Sequence, residues 1–457
     1  MGAVCKTNKE VWKSYLSYLL PTIVGMVTYS LYCLTDVLFV SLGVGSEGLA
    51  ALNISLPIFT IYSCIAILIG VGASVTMTIC KGEGNDKAAS KVLTMAIVSI
   101  AIIGSVLMVL SIIFVKPIAI ALGANNEILE PAIAYLKPVT WGILFYMFSG
   151  VLTVLVRSDG NPKLVMVAGI IGNVINMVLN YIFIILMKMG TFGAGFSTAI
   201  GFSISMAILW FHFILKKNTV SFTKDFWDKA LFKRMFNNGG GACILEISTG
   251  MTIFMINIAL MKISGATAVA IYSVISNIAF IAKGMFGGMA QANQPIVSMH
   301  YGLKEYRTVK VAHRYAMWVA GITGFVSWIV IGLFSGEITA WLVDPDMQIV
   351  KQGQLAICTY LTSFTFMGFN TILMYYFQSL EKPIYSGIMS LTRGIGLIFI
   401  LLLILPRFWG ELGVWLVLPV AELITFVIFF VIRKKQVDDK LSDKLNDELN
   451  DLVCSIY

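Results

Sequence analysis

The sequence predicts an all-α membrane protein of twelve transmembrane helices in two pseudo-symmetric six-helix lobes. Three observations predict it: a charge-poor composition, twelve apolar runs of bilayer length, and motifs that recur half-way along the chain. Of 457 residues, 58% are hydrophobic and 12% charged, where soluble chains run near half apolar and about a quarter charged. With a mean hydropathy of +0.87, this excludes a disordered chain, a disulfide scaffold and a conventional cytosolic enzyme.

A helix needs about 18 or more apolar residues to cross a bilayer. The polar start, residues 1–13, leads into a first run at 14–42 that contains Pro21 and Asp36. That run is too long for a signal peptide and lacks a cleavage site, so no cleavable leader is expected. Further runs fall at 52–79, 91–114, 131–155, 163–187 and 193–215, most of them separated by short loops of Gly, Asn and Pro, and complete an N-lobe of 14–215. A polar linker, 216–239, precedes a C-lobe of 240–432 with runs at 240–263, 267–298, 312–335, 353–378, 383–405 and 410–432. The alternation typical of a membrane barrel is absent, so helices must satisfy the backbone. In the tail, 433–457, Leu441, Leu445, Leu449 and Leu452 fit either a short amphipathic surface helix or a frayed end.

Lys and Arg fall asymmetrically. Loops after even-numbered spans carry sixteen, loops after odd-numbered spans five, and the termini eight. The positive-inside rule then puts the even loops and both termini in the cytoplasm. The net charge of +8 is thereby a topology signal, with no nucleic-acid partner implied. Seven scattered cysteines and three histidines show no CxxC, CxxH or HExxH spacing, so neither a disulfide framework nor a zinc site is indicated.

The halves match at an offset near 220. Gly82 and Lys87 meet Gly302 and Arg307; Gly190 and Gly193 meet Gly410 and Gly413; Ser158 and Pro162 meet Ser379 and Pro383. Six spans per repeat is an even number, so both halves share one orientation, a transporter-type arrangement with a site expected between lobes.

Ionisable residues at membrane depth cost several kcal/mol and mark sites by default. Six stand out: Asp36, Lys137, Glu246, Lys283, Arg393 and Glu422. Asp36 shares its level with Asn176 and Asn180, spaced i, i+4 on one helix face, and with Thr198. This oxygen-rich set suits Na⁺, whereas a lone desolvated carboxylate can instead carry H⁺. A structural alternative pairs Asp36 with Lys137 and leaves the amides and hydroxyl to bridge helices. In the C-lobe, Glu246, Lys283, Arg393 and Glu422 either neutralise one another or offer Glu246 or Lys283 to a substrate. The 23 Met and 29 Phe residues suit a deformable pocket but mostly serve packing. Pro21, about four turns before Asp36, permits either a moving kink or a static bend.

Over about Trp12 to Arg433 the sequence resembles the MATE (multidrug and toxic compound extrusion) family of secondary transporters. The resemblance rests on "PTIVGMVTYSLYCLTDVLFV" at 21–40, "GSEGLAALNISLP" at 45–57, "RSDGNPK" at 157–163 and "GNVINMVLNYIF" at 172–183. It continues in "GTFGAGFSTAIG" at 190–201, "QPIVSMHYG" at 294–302, "FQSLEKP" at 377–383 and "GVWLVLPVAE" at 413–422. It implies two six-helix lobes, export of drugs and organic cations against inward H⁺ or Na⁺, and an N-lobe cation site at Asp36, Asn176, Asn180 and Thr198. One departure stands out: where many relatives show "NxxLD", this chain ends the motif in Asn180, so the site keeps one formal negative charge. Some relatives also use acids in spans 7 and 10; Glu246 fits the first, and span 10 has none.

The function expected is an antiporter of the inner (plasma) membrane, a monomer without a bound cofactor, exporting amphipathic, often cationic compounds. The alternative is a flippase for a lipid-linked precursor on a related fold, for which Lys137, Lys283 and Arg393 are few cations to hold pyrophosphate. An enzyme is not expected, because clustered His, paired acids and a Ser/His arrangement are all missing.

Overall fold

A computed structural model describes residues 7–125, 127–343 and 346–435. Thirteen helices follow one another there, with no strand among the described residues. They are α1 (Asn8–Val44), α2 (Ser46–Gly82), α3 (Asp86–Ile113), α4 (Val115–Ala121), α5 (Leu129–Ser158), α6 (Pro162–Leu186) and α7 (Gly190–Ile214), then α8 (Lys229–Ile263), α9 (Gly265–Gly302), α10 (Tyr306–Leu333), α11 (Ser335–Leu342), α12 (Met347–Ser379) and α13 (Pro383–Arg433). The Leu441–Leu452 pattern lies outside the described residues.

Eleven of these helices are long and apolar enough to span a membrane, against twelve expected. The difference is α13. Its 51 residues would reach about 75 Å at 1.5 Å each, far beyond a hydrocarbon core of about 30 Å. At Gly410 the backbone leaves the helix, with φ 54° and ψ −129°, a combination that a Cβ would oppose. Two crossings therefore meet at Gly410, where the sequence places the boundary between its last two runs.

Backbone geometry repeats at the same offset as the motifs. Left-handed residues occur in pairs: Gly45 with Gly265, Gly84 with Lys304, Gly160 with Glu381, and Gly190 with Gly410. The short helices α4 and α11, which the hydropathy pattern does not separate from their neighbours, begin at Val115 and Ser335.

Two compact units are present: Leu20–Glu246, and Ile247–Tyr457 together with Met1–Leu19. The division falls inside α1 and α8 rather than in the polar segment 216–239. Helix α8 starts at Lys229 because Asp228 caps it, its Oδ1 accepting from the amides of Ala230 at 2.9 Å and Leu231 at 3.1 Å. The early turns of α8 place Met235 in the core of the first unit, with Phe232 and Phe236 packed against it. Gly72 of α2 and Gly239 of α8 allow this contact, since a Cβ on either would strike the other helix's backbone. Cys64 and Cys243 meet across the same two helices as a disulfide, with Cα atoms 4.7 Å apart. The cysteine spacing, which indicates no disulfide framework, carries no sign of this pair: residues 179 apart in sequence become neighbours only through packing.

The loop after α7 is fastened to the turn between α5 and α6 by Asp159. Its Oδ2 accepts from His212 Nε2 at 2.9 Å and from the Thr219 amide at 2.8 Å, and its Oδ1 accepts from the Thr219 hydroxyl. Lys81 Nζ stands 3.5 Å from Oδ1. Burial pushes the Asp159 carboxyl up, but these donors and the lysine together hold it below the usual carboxylate range. A depressed pKa contributes stability above the unfolded value, about 3.9, that is lost as pH falls through it toward the folded value. Asp159→Asn is expected to cost about 1–3 kcal/mol near neutral pH. Thermal melts of the two purified proteins should differ at pH 7 and converge below pH 4; parallel curves throughout would contradict this role.

Candidate cation-coupling site

Close packing of small residues brings the site together. Helices α6 and α7 cross at Gly172 and Gly201, where a Cβ on Gly172 would lie 2.8 Å from the Gly201 carbonyl oxygen and one on Gly201 would lie 3.0 Å from that of Gly172. Asn176, one turn beyond Gly172, thereby reaches Thr198, its Nδ2 donating to the hydroxyl at 3.4 Å. Asn180, a further turn along the same face, donates through Nδ2 to Asp36 Oδ1 at 2.8 Å and to Asn176 Oδ1 at 3.0 Å. The structure thus joins all four expected residues in one network drawn from α1, α6 and α7.

Every member is buried: Asp36 is 6% exposed, Thr198 3%, Asn176 2% and Asn180 0%. No Lys, Arg or His forms an ion pair with Asp36 among the described residues. Lys137 lies instead on an exposed face of α5, in a groove of about 500 Å³ with Trp141, Phe145 and Phe196. The reason is angular. Two residues along a helix point to nearly opposite sides, and Tyr135, not Lys137, faces the interior beside Asp36. Pairing of Asp36 with Lys137 is therefore corrected.

Ser197 is a member that the sequence reading omits. Its hydroxyl donates to Asn180 Oδ1 and also reaches the Ala194 carbonyl at 2.8 Å. Adjacency to Thr198 in the Gly-Phe-Ser-Thr string was the available signal, but adjacent helical residues usually diverge. Tyr32, one turn before Asp36, and Tyr135 add two phenols beside the carboxylate. Immediately after Asn180, α6 widens into a π turn, Tyr181–Leu186, a form that occurs often at functional sites.

The second unit holds a separate buried network. Arg393 donates to Glu422 Oε1 through Nη2 at 2.7 Å and Nε at 3.1 Å, and to the Thr371 hydroxyl through Nη1 at 3.2 Å. Asn370 Nδ2 donates to Glu422 Oε2 at 2.6 Å and to the Glu422 carbonyl at 2.8 Å. Arg393 too sits in a π turn, Thr392–Gly396. Of the other charges, Glu246 accepts from Ser63 at 3.5 Å in the first unit, and Lys283 is half-buried on α9 in the second. Pro21 lies within a continuous α1, directly after the division at Leu19–Leu20.

No cluster of three or more His, Cys, Asp or Glu suited to a metal exists among the described residues. At the Asp36 site the Asn180 amide turns its NH₂ toward the carboxylate and its carbonyl toward Ser197. So arranged, it supplies a donor to the anion rather than an oxygen ligand to a cation.

Comparison with known proteins agrees with this architecture. The chain is 24% identical over 444 residues to the multidrug export protein MepA of Staphylococcus haemolyticus (strain JCSC1435), covering 95% of this chain and 97% of that one. It is 22% identical to the probable multidrug resistance protein YoeA of Bacillus subtilis (strain 168), covering 94% and 96%. A solved structure described as the outward-facing conformation of a multidrug resistance MATE family transporter of the MOP superfamily superposes with a TM-score of 0.88, 22% identity and coverage of 94% and 96%. That likeness shows a shared fold. The MatE family model matches twice, over residues 21–182 and 242–404, in step with the internal repeat. The chain belongs to the MatE family, the MATE family that its motifs resemble.

Proposed function

We propose that this protein is a multidrug exporter of the plasma membrane that exchanges amphipathic, often cationic compounds for inward protons, with Asp36 as the carrier of the coupling proton. The observation that carries this reading is one buried carboxylate, enclosed by neutral amides and hydroxyls and bound to no protein cation among the described residues. Such a group can exchange its proton without a competing salt bridge. The relatives named for multidrug export support the substrate class. Sodium is the less supported ion, since binding it through Asn180 would require that amide to turn over.

Coupling requires the proton and the drug to prefer different access states of the transporter. Pro21 suits a hinge: without an N–H it leaves the Ser17 carbonyl without its helical partner, next to the point where α1 passes between units. The loop charges support a cytoplasmic side for both termini, and a monomer is sufficient for a site held within one chain. The flippase reading loses support, because Arg393 is neutralised by Glu422 and Lys137 faces outward on α5.

The test is efflux of a fluorescent cationic dye from vesicles under separately imposed pH and Na⁺ gradients. A pH gradient alone should drive transport and a protonophore should stop it. Transport driven by Na⁺ alone would overturn the proton assignment, and no transport under either would overturn the exporter reading.

A further inference from the structure

A groove of about 500 Å³ runs between α5 and α7, within one unit. Its floor is low because the two helices pack at Gly142 and Ala199, where a Cβ on Gly142 would lie 2.5 Å from the Ala199 Cβ. The walls are aromatic. Trp141 and Phe145 stand one turn apart on α5, and Trp141 is 67% exposed. On α7, Phe192 and Phe196 are exposed too, their rings stacked with centroids 5.9 Å apart. Both helices are long and apolar enough to cross a membrane, so aromatic rings exposed along them face lipid.

Among the described residues, Lys137 supplies the groove's one charge, one turn before Trp141 on the same helix face. Lys137 is exposed, and its ammonium has neither a hydrogen bond nor an ion pair among the described residues. Its depth follows from the helix. The 30 residues of α5 reach about 45 Å, so a helix centred on a hydrocarbon core of about 30 Å overhangs it by about 7 Å at each end. Lys137 lies about 12 Å along the axis from Leu129, and its backbone therefore about 5 Å inside the hydrocarbon edge. A lysine stem covers that distance and brings the ammonium to the level of the lipid phosphates. A cation at that level, leading into an apolar groove, is complemented by an anionic head and a hydrocarbon chain.

We infer that this groove binds one anionic phospholipid of the surrounding bilayer, its phosphate on Lys137 and one acyl chain along Trp141, Phe145 and the two α7 phenylalanines. A zwitterionic lipid fills the apolar part equally well, but its choline cancels the charge that Lys137 attracts. A cationic amphiphile meets repulsion from the lysine, which sets this groove apart from the Asp36 site. A free phosphate satisfies the ammonium alone, whereas a phospholipid satisfies both parts.

Quenching of Trp141 fluorescence by phospholipids brominated on an acyl chain tests the inference, with the full-length protein purified in detergent. Subtracting the signal of each protein's own Trp141→Phe counterpart isolates that one tryptophan. Wild type should bind brominated phosphatidylglycerol about fivefold more tightly than brominated phosphatidylcholine, the effect of one lysine at an anionic membrane surface. Lys137→Gln, a change of an exposed residue outside the Asp36 network, should erase this preference. Ser203→Phe, which fills the groove one turn beyond Ala199 and leaves Lys137 in place, should weaken the binding of both lipids severalfold. Glycerol phosphate in equal amount should displace neither. Equal affinity of wild type for the two lipids, a preference that survives Lys137→Gln, binding unchanged in Ser203→Phe, or displacement by glycerol phosphate would each overturn the assignment.

Discussion

Asp36→Asn is expected to leave the protein folded in the membrane while its gradient-driven efflux falls to the background of empty vesicles. The replacement is nearly isosteric, and its amide oxygen can still accept from Asn180 Nδ2, which now lies 2.8 Å from the carboxylate. What disappears is the ability to change charge. A group locked in one protonation state gives the two access states no differential affinity for a proton, so a proton gradient cannot bias them. One pH unit is worth about 1.4 kcal/mol per proton, about a tenfold accumulation ratio; the variant's ratio should stay near one. Dye binding, measured without any gradient, should persist. Efflux at the wild-type rate would remove Asp36 from the mechanism, whereas loss of folding would be visible separately as aggregation in detergent.

Most of the architecture was legible because membrane helices announce themselves by composition. Even the two crossings that meet at Gly410 were separable in sequence, since Gly410 pairs with Gly190 in the repeat and both adopt positive φ. What hydropathy could not supply was lateral placement. The early start of α8 is written in a polar cap, Asp228, and in Phe232 and Phe236, inside a segment that averages as hydrophilic. Likewise, Cys64 and Cys243 carry no spacing signal, because the helix crossing at Gly72 and Gly239 creates their contact.

The Asp36 site was readable for a related reason. Asn176 and Asn180 share a face by periodicity, and depth alone aligns them with Asp36 and Thr198. Helical phase relative to a neighbour is another matter. Whether Lys137 or Tyr135 meets Asp36 depends on the rotation of α5, which is set where Gly195 packs against the Tyr135 carbonyl and Pro138. Depth alone carries no information about angle around the helix, and Lys137 lies on the exposed side of α5 while Tyr135 is buried. Ser197 was missed for the converse reason, its hydroxyl reaching Asn180 although its neighbour Thr198 serves Asn176.

The Arg393–Glu422 pair should behave as a unit whose halves are more damaging to lose than the whole. Arg393 is 6% exposed and Glu422 2%, so each charge has given up its water. Among the described residues, Arg393→Met leaves Glu422 with only Asn370 as donor, and Glu422→Leu leaves the guanidinium with only the Thr371 hydroxyl. Each single change is expected to cost about 3–5 kcal/mol, because an uncompensated buried charge remains. The double change, Arg393→Met/Glu422→Leu, removes both charges for apolar groups of similar volume and keeps Asn370 bonded to the residue 422 carbonyl. It should recover most of the loss, since buried ion pairs are often replaceable at little net cost. Thermal stability in detergent gives the cycle, and single variants as stable as wild type would show the pair is not desolvated. Efflux then separates scaffold from mechanism: a purely structural pair predicts that the double variant transports as wild type does. A stable double variant that no longer exports would instead place the pair among the groups whose charge changes during transport.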